Sequence, residues 1–130
     1  MKINNWTLKI MKENPLKDKS YQFALKVIEV CKILQEMNHE FVLSKQLLRS
    51  GTSIGANVEE AVGAQSKRDF LSKISIAYKE ARETNYWLRL LRDSNLAEPS
   101  KLNILIDDSD ELVRLMGAII STTKKNLKEK

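Results

Sequence analysis

Arg49, Ser53, Asn57 and Glu60 recur at steps of four, four and three, which lines them up along one face of a helix. Glu80 and Glu83, further along the chain, add two carboxylates one helical turn apart. Carboxylates beside a serine hydroxyl are the raw material of acid–base chemistry. The remaining parts of a catalytic centre are missing. The single histidine, His39, stands in a turn-like Asn38-His39-Glu40 with no evident partner. No spacing of histidine, cysteine and carboxylate suggests a metal, and no strand-to-helix glycine loop suggests a phosphate cradle. The competing reading is structural. If the chain reverses near Ser66, Arg49 comes level with Glu83 and Glu60 with Lys73, so that opposite charges set the register of two helices. Arg49, Ser53, Asn57, Glu60, Glu80 and Glu83 are therefore expected to form a structural polar network. No catalytic residue, metal or cofactor is expected.

A second set has a different chemistry. Arg68, Ser72, Ser75, Lys79, Arg82, Tyr86 and Arg89 fall on one helical line that contains no acidic residue. Cations at helical spacing can track phosphates, and a tyrosine among them offers a base something to stack on. Arg68, Lys79, Arg82, Tyr86 and Arg89 are the candidate nucleic-acid contacts. An ordinary solvated face has the same composition, and the sequence alone does not separate the two.

The elements that must carry these residues are helices. In 130 residues there are only four glycines and two prolines, which favours a few long elements over many turns. The length fits one domain, 1–130. Twenty-two basic against 17 acidic residues give a net charge of +5, a weak attraction for polyanions. The lone Cys31 has no partner for an internal disulfide and, among Ile28, Ile33 and Leu34, reads as a buried neutral thiol. The first residues lack the apolar core of a signal peptide and no apolar run suffices to span a bilayer, so a cytoplasmic location is the default and no membrane partner is expected.

Four segments carry a 3.6-residue period. The first, about 15–37, places Phe23, Val27, Val30, Leu34 and Met37 on one face, with Asn14-Pro15 or a later Asp18 or Ser20 at its start. The second, about 44–65, takes Ser44 as N-cap and aligns Leu47, Gly51, Ile54, Val58, Ala61 and Gln65, with a loop at Ser50–Gly55 as the alternative. The third, about 66–95, opens on Ser66-Lys67-Arg68-Asp69, a capping box with aspartate, and aligns Phe70, Ile74, Ala77, Ala81, Thr84, Leu88 and Leu91. The fourth, about 98–125, aligns Leu102, Ile106, Ser109, Val113, Met116, Ile120, Thr123 and Leu127, with Lys124, Lys125 and Lys128 suiting the negative end of its dipole. Short connections make this an all-α, antiparallel, up-down-up-down four-helix bundle.

The third helix is greasy beyond its seam. Ile76, Trp87 and Leu90 fall on one flank, Leu71 and Tyr78 on the other, an arc wider than one bundle can bury. Self-association is the expected consequence, with Ile76, Trp87 and Leu90 at the oligomer interface.

The run LLRSGTSIGANVEEAVGAQSKRDFLSKISIAYKEARETNYWLRLLRD, Leu47 to Asp93, resembles the four helix bundle protein family that includes the 23S ribosomal RNA intervening-sequence proteins. Arg49, Ser53-Ile54, Asn57 and Glu60, then Ile76-Ala77, Glu80, Glu83 and Tyr86-Trp87-Leu88, carry the likeness. In length and layout it extends over nearly the whole chain. The resemblance implies a left-handed bundle assembled as a ring-shaped homopentamer, with no catalytic residues. Accessory proteins of diversity-generating retroelements are similar and act with nucleic acid and a reverse transcriptase, so RNA or DNA, and a reverse transcriptase if the gene lies in a retroelement, are the implied partners. Where many relatives have glycine after the helix-two glutamate this chain has Ala61, which makes backbone contact there less close. The leading expectation is a non-enzymatic, oligomeric nucleic-acid-binding accessory protein. A protein-interaction scaffold is the alternative, and an enzyme using the carboxylates is third.

Overall fold

The computed structural model describes residues 15–128. They form four helices, α1 (Leu16–Met37), α2 (Val42–Val62), α3 (Lys67–Asp93) and α4 (Pro99–Lys128), and no strand occurs among the described residues. Pro15 precedes α1, where a missing N–H costs nothing, and its carbonyl accepts the Lys19 N–H at 3.0 Å. The expected cap Asn14 lies outside the described residues. Asn38 and a left-handed His39 (φ 52°) reverse the chain after α1.

Ser44 does not cap α2. The helix starts two residues earlier, and the Glu40 carboxylate reaches forward to accept the Ser44 N–H at 2.7 Å. Ser44 is buried in the first turn, its hydroxyl donating to the Glu40 carbonyl at 2.7 Å. Helix α2 then runs unbroken through Ser50–Gly55, so the loop alternative does not occur, and it stops at Val62. Gln65, expected on the seam, is beyond that end and exposed. Ser66 is extended (φ −154°, ψ 167°) and its hydroxyl accepts the Asp69 N–H at 3.0 Å. The aspartate returns to Gln65 N–H at 3.2 Å, one residue upstream of the usual reciprocal bond.

Cross-helix pairs give the packing. Gly51 meets Val27, and Gly55 meets Ser20, between α2 and α1. Arg49 reaches Glu80 and Glu83, and Glu60 reaches Lys73, between α2 and α3. Tyr78 lies on Gly117, and Asn85 bonds Ser109, between α3 and α4. Lys19–Glu111, Lys26–Asp108 and Glu29–Lys101 close the bundle between α1 and α4. In each pair residue numbers rise on one helix as they fall on the other, so neighbours run antiparallel.

The α3 seam is buried along its whole length, from Phe70 to Leu91. On α1 the seam stops at Leu34, because Met37 is the last helical residue and is 75% exposed. On α4 the expected Val113, Ile120 and Leu127 are only half-buried, and Leu105, Leu112 and Ile119 are buried instead. Both sets share Leu102, Ile106, Ser109, Met116 and Thr123. The expected partners lie toward α3 and the observed ones toward α1, and a corner helix must face both.

Cys31 is buried and its thiol donates to the Ser44 carbonyl at 3.3 Å. Burial, and then the Glu40 charge, push its pKa from 9.0 up to about 12. The unfolded chain releases this proton near its ordinary value while the fold retains it. The contribution is thus fully present below about pH 9 and is lost at about 1.4 kcal/mol per unit as pH rises toward 12. Between about pH 9 and 11 the wild type should lose more denaturant resistance than Cys31→Ala. Parallel losses for the two would remove Cys31 from the account.

Candidate nucleic-acid interface

Helix α2 turns Arg49 and Glu60 toward α3. Arg49 Nη1 lies 3.3 Å from Glu80 Oε2, and its Nη2 bonds Glu83 Oε2. The same Glu83 oxygen accepts the Trp87 indole N–H at 2.9 Å. Lys73 Nζ lies 3.3 Å from Glu60 Oε1. Ser53 and Asn57 stay on their own helix: Asn57 Nδ2 donates to the Ser53 carbonyl at 2.9 Å and hydroxyl at 3.1 Å. Four of the six network residues are thus joined across helices and two are not. With Arg49 half exposed, each pair is worth about 0–1 kcal/mol and acts mainly on register. Among the described residues no group of three or more histidine, cysteine and carboxylate side chains could hold a metal ion.

Sequence reading missed the buried bond between these helices. Thr84 Oγ1 donates to Ser50 Oγ at 2.9 Å with both residues fully buried. The signal was present, since Thr84 lies on the seam and Ser50 beside it.

The outer line of α3 has another character. Arg68, Lys79, Arg82, Tyr86 and Arg89 are all exposed. Arg82 lies over the Tyr78 ring at 5.9 Å and donates to its hydroxyl at 3.3 Å. Arg89 lies over the Tyr86 ring at 5.9 Å and donates to Asn85 Oδ1 at 2.8 Å. Neutral partners orient both guanidinium groups, and neither makes an ion pair among the described residues. Tyr86 meets Trp87 edge-on at 5.2 Å, and with Arg89 on one face it has only the other for a base. Two acids border the upper end of the line. Asp110 accepts from Asn85 at 3.0 Å, and Asp93 is held below its ordinary pKa by its bond to Arg92, with a smaller pull from Arg89.

Of the flank residues, Ile76 and Leu90 are exposed and Trp87 is half-buried against the core. The structure adds an apolar strip that was not foreseen. Tyr21, Leu25 and Ile28 stand exposed on α1 beside a groove of about 370 Å³ whose other wall is Thr52, Gly55 and Ala56 of α2. Their steps of four and three were visible, but the neighbouring Phe23 seam already accounted for α1. No helix among the described residues is long and apolar enough to cross a membrane.

The model of a family described as 23S rRNA-intervening sequence protein matches residues 12–118. A solved structure of a protein with unknown function from the S23 ribosomal protein family of Bacteroides thetaiotaomicron is similar, with a TM-score of 0.79 and 48% sequence identity, covering 81% of this chain and 97% of that one. No curated protein matches.

Proposed function

The chain belongs to the 23S rRNA-intervening sequence protein family, and we propose that it is a non-enzymatic homo-oligomer, a pentamer, that binds RNA or DNA along the outer face of α3. The observation that carries the binding half is the pair Arg82 and Arg89, oriented by neutral groups and left free to neutralise phosphate. Assembly is supported by apolar side chains that one bundle leaves in water, Tyr21, Leu25 and Ile28 on α1 and Ile76 and Leu90 on α3. A ring would repeat the cationic line on every subunit, and several modest patches hold one long polyanion far better than one does.

Labelled RNA and DNA oligonucleotides in fluorescence anisotropy test the reading. Binding should be indifferent to sequence and fall steeply with salt, because the contacts run to phosphates. Arg82→Glu with Arg89→Glu should weaken it by at least about tenfold at low salt while light scattering still reports the wild-type oligomer. A wild-type protein that binds neither nucleic acid at low salt overturns the binding half, and a monomer mass at micromolar concentration overturns the assembly.

A further inference from the structure

Cations on this bundle fall into two populations. Lys19, Lys26, Lys101, Lys73, Arg49 and Arg92 each sit within ion-pair distance of a carboxylate. Of those that do not, Arg68, Lys124, Lys125 and Lys128 lie together where α3 begins and α4 ends, while Lys32 and Lys45 stand at the opposite end. Tyr78 packs on Gly117, and Asn85 bonds Ser109 and Asp110, which sets the antiparallel register of the two helices. Continued toward the start of α3, that register brings Lys124 level with Leu71 and Lys128 level with Lys67, beside Arg68. Gly117, Lys124 and Lys128 follow at steps of seven and four, so both lysines lie on the side of α4 that Tyr78 covers. Lys124, Lys128, Arg68 and Lys79 are exposed and make no ion pair among the described residues.

The usual account of lysines at a helix C-terminus is that they offset its negative dipole end. Here that end lies beside the positive N-terminal end of α3, so the two dipoles oppose each other and the lysine charge is surplus. At its other end the strip changes sign, since Asp110 and Asp93 flank Arg89.

Resting on the nucleic-acid reading above, we infer that the principal phosphate-binding surface is the shared edge of α3 and α4 from Lys128 and Arg68 to Arg82, with Lys124 and Lys128 contacting the nucleic-acid backbone. From Arg68 to Arg82 the edge measures about 21 Å at 1.5 Å per residue, long enough to engage several successive phosphates. The ligand class is the phosphate backbone itself, read without base contacts. Arg82 and Arg89 each already lie over a tyrosine ring, which leaves those faces closed to a base.

The test uses the full chain and a labelled 20-nucleotide RNA of mixed sequence at low salt. Lys124→Glu with Lys128→Glu should lose at least tenfold in affinity and flatten the dependence of log affinity on log salt by about one to two units. Lys32→Glu with Lys45→Glu makes the same change in net charge at the opposite end of the bundle, and should stay within threefold of wild type. Thermal unfolding and light scattering on both variants establish that each remains folded and assembled. If both doubles weaken binding equally, only overall charge matters and the edge is wrong. If wild type binds and the Lys124/Lys128 double binds as well, the edge is wrong while the α3 reading stands. If wild type does not bind, both fall together.

Discussion

Phe70→Ala is expected to destabilise the bundle by about 3–5 kcal/mol, measured as a shift in the denaturant midpoint at constant slope. Phe70 is fully buried on the α3 seam and is among the largest such side chains in the core. Its removal forfeits the transfer free energy of the ring and leaves a cavity that rigid neighbouring helices only partly close. Leu90→Ala on the same helix makes the contrast. Leu90 is 36% exposed, so within a single bundle its truncation should cost well under that, about 1 kcal/mol. A Leu90→Ala cost that depends on protein concentration would place that residue under a second copy. A Phe70→Ala cost below about 1 kcal/mol would contradict the position of α3 in the core.

Gly51→Leu should be the other severe change, and Gly55 its harmless counterpart. A Cβ at Gly51 would stand 2.9 Å from both methyl carbons of Val27. Val27 is fully buried and its β-branched side chain has few rotamers into which to retreat, so even alanine forces α1 and α2 apart. The added leucine volume should cost about 3 kcal/mol, at the upper end for overpacking. At Gly55 the nearest atom is the Ser20 carbonyl oxygen at 3.4 Å, an ordinary contact. Gly55→Ala should therefore leave stability unchanged or raise it by up to about 1 kcal/mol through helix propensity. Thermal unfolding of the two alanine variants side by side decides it. Equal shifts would mean that the glycines do not set the α1–α2 distance.

The contrast between these glycines marks where sequence reasoning stops. That two glycines four apart share a face follows from the helical period. Which of them is pressed hard against its neighbour depends on the α1–α2 register, and no local pattern encodes that. Helix α3 was legible because its seven seam positions carry no glycine or proline and are flanked by charge. Helix α4 was legible in extent but not in facing, because leucines and isoleucines occupy both flanks and only the tertiary arrangement says which flank meets α1. The start of α2 was misplaced for a chemical reason, since a serine is the commoner cap but Glu40 has the reach to serve from outside the helix. In the candidate site, the pairings Arg49–Glu83 and Glu60–Lys73 follow from counting back from the Ser66 turn. The tyrosine–arginine stacks join residues four and three apart on α3 and were within reach of the spacing, whereas Asp110, one of the acids bordering the line, needs the α3–α4 register.

The three ion pairs between α1 and α4 join residues 92, 82 and 72 apart in the chain, against 31 and 34 for Arg49 and its partners on α3. Bringing ends together over 92 residues instead of 31 adds about 1 kcal/mol of loop-closure entropy. On that ground the hairpins of adjacent helices are expected to close before the α1–α4 seam. On a ribosome adding about 5–20 residues per second, α1 emerges roughly 5–15 s before the part of α4 that completes its enclosure. For that interval the nascent chain holds its first helix on α2 alone, where Gly51 seats Val27. The small residue that lets Val27 seat against α2 in the finished bundle is also what α1 has to hold on to while the rest of the protein is being made.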